Sequence, residues 1–216
     1  WDQSTNGNHA DQATDTSQPQ IYNGTAVLTE NGKPALDFDG SDDGLLTSAV
    51  SQSFDYASVF IAYRSTSNAQ QNIVRYRANG IVGSKDGWSY EQGSNAQYGG
   101  NTLIEAGGNA VGAAGTNEGG APNTNQQLKT MLFQQSQILA YENGGLDITL
   151  NTVRGGSTPI GTASVTEEFW LGKNFDSNDR EMIGTMQEVI IYHSDQSTNR
   201  TGIETNIDNY FQIPGM

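Results

Sequence analysis

Cysteine is absent from the 216 residues, which excludes disulfides, thiolate metal sites and thiol catalysis. Histidine occurs only as His9 and His193. Both stand beside turn formers and read as surface residues, and a catalytic triad or a zinc site would need more than these two. Positive charge is scarce, with 10 Lys and Arg against 24 Asp and Glu and a net charge of −14. Such a field opposes phosphate backbones and anionic headgroups, so nucleic acid and membrane surfaces are not expected partners. Long apolar runs are also missing. The longest, Val59 to Tyr63, is far short of the roughly 20 residues that span a bilayer.

Uncharged polar residues take their place. Asn, Gln, Ser and Thr number 75, slightly more than the hydrophobic 34%, and there are 26 Gly. Charged residues make up only 16%, so the chain is not a charge-driven disordered one. The apolar residues gather in short blocks bounded by turn formers, the pattern of many short strands.

Residues 1–20 read as a loop, and Ile21 to Thr29 as an edge strand. Pro34 to Asp39 alternates with period two, placing Leu36 and Phe38 on one face. Ser58 to Tyr63 is a strong central strand by its β-branched and aromatic content. Short strands are expected at 72–76, 80–83, 87–91, 127–134 and 169–172. Ile138–Glu142 and Leu146–Leu150 flank Asn143-Gly144, a dipeptide that tolerates positive φ at both turn positions and so predicts a hairpin. Gly184 to Tyr192 is the strongest strand. Only the C-terminus reads as helix: Ile203, Ile207 and Tyr210 recur on one face, with Thr201 and Glu204 as a capping box and Pro214-Gly215 as a stop. Ten to twelve strands and one helix predict an all-β sandwich of two antiparallel sheets, with the helix over an edge or seam. Phe38, Phe60, Val189 and Ile191 are expected in the core shared by the sheets.

Several blocks together resemble a known family. Trp1 to Ala10 resembles the opening of bacterial and phage LamG-like (concanavalin A-like) jelly-roll domains, with Thr5 where a Gly is usual. Asn31 to Asp43 resembles the same family's Asn-Gly…Phe-Asp-Gly…Asp-Asp block. The Asn143-Gly144 turn, the Gly184 to Tyr192 strand and the terminal helix follow in the family's order. The resemblance implies one jelly-roll domain over residues 1–216, part of a longer chain, in an extracellular, cell-surface or virion protein. It also implies a module that binds glycans or proteins, in some members with calcium; the fold by itself hosts many functions.

Asp39, Asp42 and Asp43 lie around a glycine turn. Their hard oxygens suit calcium; equally, Asp side chains cap turns. Glycosidase chemistry needs two facing carboxylates, and no Glu-x-Asp-x-x-Glu string occurs, so an enzyme is not expected. Trp88, Tyr90 and Tyr98 stand among Gly, Ser, Asn and Gln, where rings could stack on sugar C–H faces while amides read hydroxyls; Trp88 also fits a core position. Trp170, between Phe169 and Leu171, reads as buried. Eight Gly in residues 99–121 make the least regular stretch, and the loop there is the expected carrier of specificity. Asn23-Gly24-Thr25 and Asn199-Arg200-Thr201 are glycosylation sequons. The expected function is a non-catalytic module for neutral glycans or surface proteins. The alternative is a structural subunit or decoration domain of a filament or virion that packs against copies of itself.

Overall fold

The strand-forming blocks close into two antiparallel sheets stacked face to face. The computed structural model describes residues 2–53, 56–77, 87–93, 102–106, 123–134, 137–150, 164–174 and 180–216. In chain order the strands are β1 (Ala10–Asp11), β2 (Thr29–Glu30), β3 (Lys33–Pro34), β4 (Leu36–Asp39), β5 (Leu45–Thr47), β6 (Val50–Ser53), β7 (Ala57–Ser65) and β8 (Gln71–Arg77). They continue as β9 (Gly87–Gln92), β10 (Thr102–Ala106), β11 (Gln127–Phe133), β12 (Ile138–Glu142), β13 (Gly145–Leu150), β14 (Ser164–Leu171) and β15 (Ile183–Tyr192), followed by helix α1 (Arg200–Phe211). One sheet runs β1-β5-β14-β8-β9-β10, with β6 also on β14; the other runs β13-β12-β11-β7-β15-β4. This is a jelly-roll β-sandwich with one C-terminal helix.

The apolar run in β7 is continuous because both of its faces are covered. Val59, Ile61 and Tyr63 point between the sheets, where they join Phe38, Tyr76, Trp88, Met131, Phe133 and Phe169. Phe60 and Ala62 point the other way, into a second cluster with Leu128, Ile207, Phe211 and Ile213 under α1. Phe60 is therefore fully buried, but not in the core between the sheets as its sequence context suggested. β15 divides in the same manner: Val189 and Ile191 pack against the intersheet core, and Ile190 against the cluster beneath the helix. Phe38 is 1% exposed, in the intersheet core as expected.

The helix covers the middle of the second sheet rather than an edge or seam. Its apolar face is Ile203, Ile207 and Phe211, while Tyr210 is exposed with the Lys33 ammonium 4.3 Å from its ring centroid. Thr201 lies inside the helix, after an Asn199 N-cap that makes no side-chain cap bond. Glu204 is buried and pairs with Arg200 one turn earlier, so the expected capping box does not form. The Asn31-Gly32 and Asn143-Gly144 turns form, with Asn31 at φ 49° and Asn143 at φ 47°, and both hold the C-terminal residues. Asn31 Nδ2 donates to the Phe211 carbonyl at 3.0 Å. Asn143 Nδ2 donates to the Pro214 carbonyl at 3.1 Å while its Oδ1 accepts the Leu128 N–H at 2.9 Å.

The edge strand expected over Ile21 to Thr29 is reduced to one bridge, Tyr22 with Val27, and to β2. Ile21, Tyr22 and Val27 are about half exposed, at 51%, 54% and 50%, so no apolar face is there to hold a longer strand. The strand expected at 80–83, and the glycine-rich stretch 99–121 apart from its residues 102–106, lie outside the described residues. Among the described residues, no helix is long and apolar enough to cross a membrane.

Candidate functional site

β9 carries two of the three aromatics expected to read a ligand, and the pleat turns both inward. Trp88 pairs with Tyr76 in register, and its ring stacks on Phe133 at 5.2 Å and lies 5.9 Å from Phe169. Tyr90, two residues on, is 1% exposed. Its hydroxyl meets the Tyr63 hydroxyl at 2.6 Å, and the Tyr63 hydroxyl donates to Gln92 Oε1 at 2.5 Å. Burial is the main cause that pushes both phenol pKa values up. The expectation that Trp88 and Tyr90 offer stacking faces to a ligand is thus corrected: alternation puts both rings between the sheets, where they supply the core. Tyr98 lies outside the described residues.

The opposite face of the same strands is polar and was not anticipated as a site. Trp170 of β14, Arg75 of β8 and Ser89 of β9 are successive register partners, so they form a row across the face that looks away from the core. Asn72 and Glu91 pair in the adjacent row. All five are 3% exposed or less. A buried charge must be paired, and these are. Arg180 Nη1 reaches both Glu91 oxygens, at 3.1 and 3.0 Å, and Gln70 Nε2 donates to Oε2. Arg75 Nη1 donates to Asn174 Oδ1 at 2.9 Å, and its guanidinium lies 5.3 Å from the Trp170 ring centroid. Asn72 Nδ2 donates to the Lys173 carbonyl at 2.7 Å, while its buried Oδ1 has no partner among the described residues.

This face combines an indole, two guanidinium groups, amides and a carboxylate on a rigid sheet. These are the residue types that bond vicinal hydroxyls and pack on sugar C–H groups, and here Trp170, Arg75, Ser89, Asn72 and Glu91 are all closed off from solvent. The signal was present in two strings. In Phe169-Trp170-Leu171 the period of two must turn Trp170 away from its neighbours, and Arg75 stands between Val74 and Tyr76.

The aspartates of the glycine turn do come together. One carboxylate oxygen from each of Asp39, Asp42 and Asp43 lies within 4.8 Å of the others. The turn also uses these groups. Asp39 Oδ1 accepts the Ser41 N–H at 2.8 Å, Asp43 Oδ2 accepts the Asp39 N–H at 2.9 Å, and Ser17 Oγ donates to Asp42 Oδ2 at 2.7 Å. One oxygen of each carboxylate is thus engaged within the fold. Burial holds the Asp43 carboxyl above its usual pKa range, with repulsion from Asp39, Asp42 and Asp37 acting in the same direction; the Asp39 N–H opposes them. Asp37 is raised by burial and then by Asp39. Because these shifts are upward, the charged forms at neutral pH cost stability, and that cost is relieved as pH falls through the folded pKa values towards the unfolded value.

No protein-family model matches this chain, and no curated protein sequence matches it. Among solved structures it is similar to domain 4 of AbnA, a GH43 extracellular arabinanase from Geobacillus stearothermophilus, in complex with arabinotriose. The TM-score is 0.60 at 16% identity, over 87% of this chain and 85% of that one. It is similar also to NanB with Optactamide, at TM-score 0.50 and 10% identity, over 78% of this chain and 27% of that one. The likeness is one of fold. The LamG-like resemblance accordingly rests on the motif blocks and on a sandwich of the expected architecture.

Proposed function

We propose that this chain is a non-catalytic glycan-binding module that works outside the cell, and that it reads neutral oligosaccharides with the outward face of β14, β8 and β9. The observation that carries this reading is the polar Trp170–Arg75–Ser89 row on the face opposite the core, buried to 3% or less, with the 32% exposed Arg180 at its solvent side. The fold likeness to a domain solved with arabinotriose makes pentose oligosaccharides the first ligands to try. The net charge of −14 favours a neutral over an anionic glycan.

The test is a glycan array followed by titration calorimetry with arabino-oligosaccharides. The parent should bind at least one neutral oligosaccharide. Arg180→Ala and Asn174→Ala should each weaken that binding by about tenfold or more, about 1.4 kcal/mol, with the folded circular dichroism spectrum kept. Arg180 suits the test because its side chain is 32% exposed. Variants that bind as the parent does would move the site elsewhere. If no glycan binds and light scattering shows ordered oligomers, the structural-subunit reading takes its place.

Calcium belongs to the same reading as a structural ion, held by Asp39, Asp42 and Asp43. A cation would offset the mutual repulsion that raises Asp43, and a ligand of the folded state alone stabilises it. Millimolar calcium should therefore raise the melting temperature of chelator-treated protein. A melting curve that is the same in calcium and in excess chelator would leave these aspartates as turn caps only.

A further inference from the structure

Lys129 is the most deeply buried cation among the described residues, and glycan recognition makes no use of it. It sits on β11 with the parity of Met131 and Phe133 and so points between the sheets; its side chain is 0% exposed. The ammonium is held by two carboxylates on successive strands of one sheet. Glu142 of β12 is its register partner, with Oε2 3.5 Å from Nζ, and Asp147 of β13 takes Nζ through Oδ2. The Tyr90 ring centroid lies 5.8 Å from Nζ, and the buried Tyr63 hydroxyl bonds to that of Tyr90. One buried amine thus faces two carboxylates beside the Tyr90 ring, with the Glu142 side chain 34% and the Asp147 side chain 20% exposed.

We propose that Lys129 Nζ and Asp147 Cγ condense into an intramolecular isopeptide bond, with Glu142 as the proton carrier. The chemistry follows from the surroundings. The fully buried ammonium pays a desolvation penalty, and a neutral amide removes it. Lys129 Nζ already touches the Asp147 carboxylate through Oδ2, so the bimolecular cost of amide formation is removed. Burial pulls the Lys129 pKa down, but Tyr90, Asp147 and Glu142 outweigh it and the net shift is upward. Lys129 therefore rests as an ammonium, and the first step is a proton transfer from Nζ to Asp147 Oδ2. The neutral amine then attacks Cγ, forming the N–C bond. Glu142 Oε2 takes one of the two remaining Nζ protons and delivers it to the departing Asp147 oxygen. The C–O bond breaks, one water leaves, and the amide keeps a single N–H. The reaction needs no oxidant, cofactor or second substrate.

The product would tie β11 to the sheet-edge strand β13, across β12. That link holds an edge which backbone hydrogen bonds alone leave open to peeling.

Intact-mass spectrometry of the denatured protein tests this directly. The purified chain should be lighter than its sequence mass by one water, and a digest should contain a branched peptide joining Lys129 to Asp147. Asp147→Ala should have its full sequence mass. Glu142→Gln, which keeps both reacting groups and loses the proton carrier, should fold with most molecules at full mass. Parent protein at its full sequence mass would overturn the proposal and leave a buried salt bridge. So would a water loss that maps to a succinimide at an Asp-Gly pair such as Asp39-Gly40, or a Glu142→Gln variant cross-linked as completely as the parent.

Discussion

Phe60→Ala should cost about 3–5 kcal/mol of stability, the range for removing a fully buried Phe. The side chain is 0% exposed and sits under the helix with Leu128, Ile207, Phe211 and Ile213, so its loss opens a cavity where α1 docks. α1 rests on the sheet through Ile203, Ile207 and Phe211, and isolated helices of this length are marginal in water. Urea unfolding should therefore show a lower midpoint, with loss of helical signal ahead of the β signal. A loss under 1 kcal/mol would mean that the helix does not rest on Phe60.

Gly184→Ala should be of similar severity, about 2–6 kcal/mol when backbone strain and overpacking act together. Gly184 has φ +138°, and a Cβ built on it would stand 2.1 Å from the Arg64 carbonyl oxygen. It lies in β15 between Ser65 of β7 and Phe38 of β4. The clash is with backbone, so no rotamer relieves it; the strands must part or the register must slip. A thermal melt within a degree or two of the parent would contradict this account. Gly202, in the exposed part of the helix with no atom within 4 Å of such a Cβ, serves as the control: Gly202→Ala should be neutral or stabilising.

Much of the sandwich could be read from residue patterns because each pattern had a local cause. Leu36 and Phe38 alternate and form β4; the dense run of β-branched and aromatic residues becomes the central β7; Asn143-Gly144 makes the hairpin its dihedral preference allows. Where a segment lacked a local signal the reading failed. Ile21, Tyr22 and Val27 look like strand residues but lie about half exposed, outside both core clusters. Thr201 and Glu204 have capping-box spacing, yet the helix starts before Thr201, and Glu204 is used by Arg200 instead.

The candidate site was the harder part. Trp88 and Tyr90 stand among polar neighbours and Trp170 between Phe169 and Leu171, and composition cannot tell which face of a sheet each one takes. Strand parity separates Trp88 from Ser89 but does not say which is inside. That depends on which face meets the second sheet, which is a property of pairs such as Trp88 with Phe133, 45 positions apart in the chain. The aspartates differ, since Asp39, Asp42 and Asp43 are close in sequence and a single turn brings them together.

The sequence by itself determined the class of the protein: an acidic, cysteine-free, all-β chain with its turns at the Asn-Gly and Asp-Gly dipeptides and a helix at its end. These follow from local dihedral preference and short-range alternation. Tertiary structure alone decided that Phe60 belongs to the helix side, that Trp170 and Arg75 share the outward row while Trp88 and Tyr90 fill the core, and that Lys129 meets Asp147. Each of those outcomes depends on contacts between distant strands, and only the choice of which sheet face is covered, made once for the whole sandwich by burial of apolar area, assigns them.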